Sequence, residues 1–289
     1  MEKTKLPTFK GKPLMESSSV VPQIGFMEGD FGKEFLKEYN GRVKSDYGNA
    51  GALNVLGYNQ NVVTGSNPFA VVLANQILRQ EGLRTATQGE LEMAMKISVL
   101  NLRGTYEDTG LVLRTEDDKD YSRNTSIARD LGRQLKARGI KFSPENPAVM
   151  PLTGLELQTA DNDYGLTFNL REDAEAYLAP VLREGGNFKT EDIDAKTGLT
   201  TQVRGEGNRT LWTRDSGLSR LCLSVVLSVY SVSWGLDYSF GDGRVVVVSA
   251  EGTRTDLDKY LGQLRETRDE EIAKIQERYE KAEAVLRGK

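Results

Sequence analysis

Between positions 204 and 220 the chain sets four arginines and a tryptophan, Arg204, Arg209, Trp212, Arg214 and Arg220, at spacings that strand alternation can gather on one sheet face. A guanidinium offers paired N–H donors to carboxylates and phosphates, and Arg and Trp dominate the energetic hot spots of interfaces. The stretch therefore reads first as a surface for a protein partner or an anionic ligand. Glu206 and Asp215 lie within it as internal counter-charges.

Two other groups offer different chemistry. Arg123, Arg129, Arg133, Lys136 and Lys141 put positive charge along one side of a predicted helix, a pattern that suits nucleic-acid phosphates. Asp130 is the one acid on that stripe, but no aromatic residues are interleaved for base stacking, and the net charge of −4 does not favour a polyanion. The acidic loops Glu116-Asp-Asp-Lys-Asp120 and Asp161-Asn-Asp163 carry hard oxygen donors. Brought together, Asp117, Asp161 and Asp163 would suit magnesium or calcium and a metal-dependent phosphodiesterase. Asp and Asn between strands are ordinarily turn formers, so this reading ranks third.

Much chemistry is excluded outright. The chain has no histidine, which removes the usual proton shuttle, the Ser–His and Cys–His nucleophile pairs and the commonest zinc ligand. Cys222 is its one cysteine, so neither an internal disulfide nor a Cys-x-x-Cys redox pair can form. The glycine-rich stretch from Gly48 to Gly57 is followed by no Walker lysine. No cofactor is implied. Residues 1–19 have no apolar run of signal-peptide length and no later stretch is long enough to span a membrane, so the expectation is a cytoplasmic protein with no membrane partner.

The elements that must position these groups follow from the apolar patterns. Residues 1–25, rich in Lys, Pro and Ser, predict a flexible basic arm. Asp30 begins a short helix carrying Phe31, Phe35 and Leu36, with Asn40-Gly41 to end it. Asn67-Pro68 caps a helix from Phe69 to Gln80, and Thr87 with Glu90 forms a capping box for a second, so the two read as a helical hairpin.

Thr109-Gly-Leu recurs at Thr153 and Thr197, each 44 residues after the last, which suggests a repeated strand–loop–helix unit over 109–142 and 153–188. The first unit pairs strand Leu111–Thr115 with a helix from about Arg123 to Arg138, buried along Ile127, Leu131 and Leu135. The second has strands Leu155–Thr159 and Leu166–Leu170 before a helix from about Glu172 to Arg183. From Leu221 to Leu236 the apolar period is two, with one slip at Tyr230 that reads as a bulge. Four valines, 245–248, predict a strand covered on both faces. From about Thr255 to Leu286 the spacing of Leu257, Leu261, Leu264, Ile272, Ile275 and Tyr279 predicts a long amphipathic helix with coiled-coil character, roughly 45 Å long.

The expected fold class is α+β: a helical hairpin and strand–helix units in an α+β domain over 26–190, an antiparallel β subdomain over 191–252, and a long C-terminal helix over 253–289. The expected function is a non-enzymatic interaction or assembly protein. It would associate with itself or a protein partner through residues 255–286 and the Arg/Trp face, with nucleic-acid binding and phosphodiesterase activity as alternatives.

Overall fold

Residue 106 and residue 223 lie in neighbouring strands of one mixed sheet, so the chain is organised by long-range pairing that local patterns do not reveal. The computed structural model describes residues 8–13, 24–249, 272, 273, 275, 276 and 280. Most of the expected basic arm lies outside the described residues. Its described part forms a hairpin of β1 (Thr8–Phe9) and β2 (Lys12–Pro13), which lays Phe9 against Phe31 and Phe35. β3 (Ile24–Phe26) leads into α1 (Gly29–Asp46). That helix continues through Asn40-Gly41, because Phe31, Phe35, Tyr39 and Val43, four residues apart, are all buried. Burying each such side chain is worth about 1.5–3 kcal/mol, more than the roughly 1 kcal/mol that a helical glycine costs.

The hairpin of β4 (Gly57–Asn59) and β5 (Val62–Thr64) precedes α2 (Pro68–Leu78), which starts as expected: the Ala70 N–H donates to the Asn67 carboxamide at 2.8 Å. β6 (Leu83–Thr85) then separates α2 from α3 (Gln88–Lys96), whose Thr87/Glu90 capping box is present. The helical hairpin is thereby corrected. β6 pairs with β17 (Val246–Ser249), which also pairs with β3, so the valine run is the centre of a three-stranded antiparallel sheet.

The remaining strands build the main sheet. They are β7 (Tyr106–Leu113), β8 (Ala148–Pro151), β11 (Tyr177–Leu178), β12 (Gly186–Phe188), β13 (Arg209–Trp212), β14 (Leu218–Leu223), β15 (Val229–Tyr230) and β16 (Gly243–Arg244). The spatial order is β11-β8-β7-β14-β15-β13-β12, with β16 sharing the β8 edge of β7. The pairs β13–β15 and β16–β7 are parallel and the rest antiparallel. α4 (Thr125–Ala137) and the hairpin of β9 (Leu155–Thr159) and β10 (Leu166–Leu170) pack on one face. Leu111, Leu113, Met150 and Leu218 meet α2 and α4 there, while Val112, Val149, Leu211 and Val229 are covered from the other side by Ala179, Leu182, Phe188 and Leu199.

The expected fold class is therefore corrected. The sheet is mixed, has eight strands and draws on residues from 106 to 244, where an antiparallel sheet of C-terminal residues was expected. Strand pairing joins the segments before and after residue 190, as in β12 with β13. The expected helix over 172–183 is replaced by β11 and a short 3-10 turn at Pro180–Arg183, since proline cannot donate the interior hydrogen bond. The first two Thr-Gly-Leu segments differ in setting: Gly110 lies mid-strand at the sheet centre, Gly154 in a 3-10 turn before a two-stranded hairpin. The described residues hold four α-helices, the longest being α1, and no long C-terminal helix is among them. The expected helix over 253–289 lies almost wholly outside the described residues, of which Ile272, Ala273, Ile275, Gln276 and Glu280 are helical and exposed. Among the described residues, no helix is long and apolar enough to cross a membrane.

Candidate functional site

The segment 229–240 carries the most conspicuous exposed aromatic groups. Trp234, Tyr238 and Phe240 are 43%, 55% and 67% exposed, and Trp212, which pairs with Tyr230 across β13 and β15, is 48% exposed. Trp212 and Tyr230 rings sit 5.9 Å apart and tilted by 37°, and Tyr121 and Trp234 sit 6.0 Å apart and tilted by 32°. The Arg214 guanidinium, two residues beyond Trp212, lies 5.6 Å from the Trp234 ring centre. Apolar rings left in water at this density mark a contact surface.

The loop 234–240 has no regular secondary structure, yet polar groups beneath it hold its backbone almost residue by residue. Asn124 donates its amide to the Trp234 carbonyl at 2.8 Å, and Asn67 donates to that of Asp237 at 3.1 Å. The Arg220 guanidinium donates to the carbonyls of Tyr238 at 2.8 Å and Gly235 at 3.5 Å. The Phe240 N–H donates to the Tyr106 hydroxyl at 2.8 Å, and the Ser66 N–H to the Ser239 hydroxyl at 2.9 Å. The Tyr238 ring folds over Gly235: a Cβ there would lie 2.3 Å from a ring carbon, so a larger residue must displace that ring. An aromatic loop fixed in this way loses little conformational entropy on binding.

Arg220 can do this because Asp108 fixes it in turn. Its Nε and Nη2 donate to the two Asp108 oxygens at 2.7 and 2.5 Å, and the Ser66 hydroxyl adds a third bond to that carboxylate at 2.6 Å. Burial works against the guanidinium charge, but the Asp108 charge and its hydrogen bonds outweigh it and raise the Arg220 pKa. The pairing depends on a bulge between Leu221 and Cys222, where Thr109 is the extra residue of β7 and Asp108 comes to the same side as Arg220. The slip in the apolar pattern had pointed to Tyr230. A turn over Ser224–Ser228 lies there instead, with Leu227 at φ +64°.

The predicted arginine face is thus dispersed. Arg209 is buried in a bidentate pair with Glu92 at 2.6 Å for both bonds, and Arg214 in one with Asp118 at 2.6 and 2.9 Å, with Asp120 at 3.3 Å. Arg204 pairs with Asp192 at 2.8 Å on the edge of the sheet. Of the five residues, Trp212 and Arg204 are exposed, and Arg209, Arg214 and Arg220 are buried.

The basic helix is similarly balanced. Arg133 pairs with Asp130 at 2.7 Å and Lys136 with Glu116 at 2.9 Å, while Arg129 and Lys141 are exposed. Arg123 turns away from the stripe: it stacks 4.3 Å from the Tyr164 ring centre and pairs with Asp237 of the aromatic loop at 3.1 Å and with Asp163 at 4.0 Å. The acidic loops do not make a metal centre, since no group of three or more His, Cys, Asp or Glu side chains among the described residues is placed to hold an ion. Asp161 and Asp163 flank a turn closed by Asn162, whose side chain accepts from the Tyr164 N–H at 3.0 Å, and Asp117 is exposed on a separate loop.

Sequence reasoning missed Tyr121, Tyr238 and Phe240 as surface residues, and missed Asn67, Ser66, Asp108 and Tyr106 as their supports. The density of aromatics in Trp234-Gly-Leu-Asp-Tyr-Ser-Phe240, around a glycine, was the available signal. Cys222 is buried beside Asp108, and burial first, then that carboxylate, pushes its thiol up to about 12, so it stays protonated. No family model, no curated protein and no solved structure matches the chain, which leaves the chemistry of its own surface as the ground for a function.

Proposed function

We propose that the chain is a non-enzymatic assembly protein that associates with a second copy of itself through the aromatic surface of Trp212, Tyr230, Trp234, Tyr238 and Phe240. The observation that carries this reading is the loop 234–240: three exposed rings on a backbone fixed from below by Arg220, Asn67, Asn124 and Tyr106. The charges around the rings are mixed. Arg123 and Asp237 sit 3.1 Å apart, and Arg214 is matched by Asp118 and Asp120, so the patch has no net attraction for a polyanion. A twofold interface requires a patch that complements itself, and neutral rings bordered by one charge of each sign meet that condition.

The size limits the strength. Aromatic side chains bury about 150–250 Å² each, so the exposed parts of Trp212, Trp234, Tyr238 and Phe240 supply about 400 Å² per copy, half of a standard interface side of about 800 Å². Area does not fix affinity, but a surface this small belongs with weak contacts, of micromolar Kd or above. Sedimentation velocity across a concentration series tests it: wild type shifts from monomer to dimer, and the Trp212→Ser, Phe240→Ser double variant stays monomeric. A wild-type chain that remains monomeric up to about 10⁻⁴ M, where an interface of this order must be populated, removes the proposal.

A further inference from the structure

Four arginines lie in the interior, and three of them, Arg209, Arg214 and Arg220, each hold a carboxylate in a bidentate pair. The fourth, Arg114, is 1% exposed and ion-pairs with no carboxylate among the described residues. It follows the last residue of β7 on the face covered by the segment 179–182. Its partners are neutral oxygens: Nη1 donates to the Ser219 hydroxyl at 2.9 Å, and Nη2 to the hydroxyls of Thr213 at 2.7 Å and Ser231 at 2.9 Å and to the Ser231 carbonyl at 3.3 Å. Its Nε–H is buried and has no partner.

The surrounding charges do not compensate it. Arg214 adds repulsion, Asp118 is engaged by Arg214, and Asp215 acts only at a distance. Burial, and then Arg214, lower the Arg114 pKa to about 9, so the side chain is still a cation at neutral pH. A buried cation without a counter-charge is among the costliest arrangements a protein interior can hold.

We propose that Arg114, with the hydroxyls of Thr213, Ser219 and Ser231, forms an internal binding site for a monovalent halide, chloride in ordinary solution. The free Nε–H supplies a charge-assisted donor. The three hydroxyls now direct their protons to carbonyls, including Leu182 at 2.7 Å from Thr213 and Ser231 at 2.7 Å from Ser219, and each can rotate a proton toward an anion. A monatomic ion suits the place because one charge-assisted donor, the Nε–H, is free, and the side chains around the guanidinium are short. A phosphate would need several more donors and more room.

Two measurements on the full chain test the site. Crystals soaked in bromide are expected to show an anomalous peak beside the Arg114 Nε; bromide peaks confined to the surface overturn the proposal. Thermal unfolding at fixed ionic strength is expected to move upward by about 2–4 °C, saturating, as chloride replaces gluconate, and this dependence disappears in Arg114→Met. A dependence that does not saturate, or that persists in Arg114→Met, is general salt action and refutes the site. The bromide result on wild type stands even if that variant does not fold.

Discussion

Glu107 is the group whose removal should stabilise the chain, and by how much depends on pH. It lies on β7 between β14 and β16, 2% exposed, with Oε2 buried and unpartnered. Burial dominates and pushes its carboxyl up to about 8, with Asp108 and Asp242 adding to the rise while Thr105 and Arg244 oppose it. The local hydrogen bonds suit the neutral acid. The Thr105 hydroxyl has one proton and two acceptors in reach, the Leu102 carbonyl at 2.9 Å and Glu107 Oε1 at 2.6 Å. A protonated Glu107 can donate to the Thr105 oxygen and leave that hydroxyl proton for Leu102.

Because the folded pKa is raised, folding is favoured by this group at low pH, and the contribution is lost as pH rises from 4.5 to about 8. At about 1.4 kcal/mol per pH unit the loss amounts to about 5 kcal/mol, an upper figure for a side chain that can relax. Glu107→Gln keeps the shape and removes the titration. Urea unfolding followed by the fluorescence of Trp212 and Trp234 at pH 5, 6, 7 and 8 measures it. The variant is expected to match wild type within about 1 kcal/mol at pH 5 and to exceed it by several kcal/mol at pH 8, all other groups cancelling in the difference. Parallel pH curves for the two proteins would refute the buried neutral acid, and so would a uniform loss of stability in the variant.

Asp108→Asn leaves the Arg220 charge buried without its counter-charge and is expected to cost about 3–5 kcal/mol; hydrogen exchange of the Phe240 N–H, bonded to the Tyr106 hydroxyl, should rise well beyond that of the β9–β10 hairpin, and unchanged protection there would show that Arg220 does not hold the loop. Asn67→Ala removes the α2 cap together with the bonds to the carbonyls of Ala52 at 2.8 Å and Asp237 at 3.1 Å, a loss of about 2–4 kcal/mol seen as a lower thermal midpoint by circular dichroism; a loss below about 1 kcal/mol would mean that the cap alone matters.

Local signals in the sequence carried local structure. Asn67-Pro68 and the Thr87/Glu90 box act within one helical turn, and both caps form. The stripe of Ile127, Leu131 and Leu135 placed α4, and the valine run placed β17. The order of the main sheet was not legible, because β7 meets β14 across more than a hundred residues and no local pattern encodes which strand lies beside which. The apolar alternation from Leu221 to Leu236 misled for a physical reason: it runs through the Ser224–Ser228 turn, where a chain reversal preserves the alternation that a single strand would show.

The arginines were misread for a related reason. Arginine is almost never fully buried unless paired, so an arginine-rich stretch reads as surface, and its partners Glu92, Asp108 and Asp118 lie far away in sequence. What the stretch builds is support. Arg220 is fixed by Asp108 and fixes the carbonyls of Gly235 and Tyr238, and Arg214 is fixed by Asp118 and underlies Trp234. Buried ion pairs contribute little net stability compared with apolar side chains of the same volume, so three of them are a costly way to fill a core. Two of the three bear directly on the exposed rings. That placement fits a demand for a rigid aromatic surface better than a demand for stability alone, and it makes Asp108 and Asp118, with no exposure of their own to a partner, residues on which the proposed association depends.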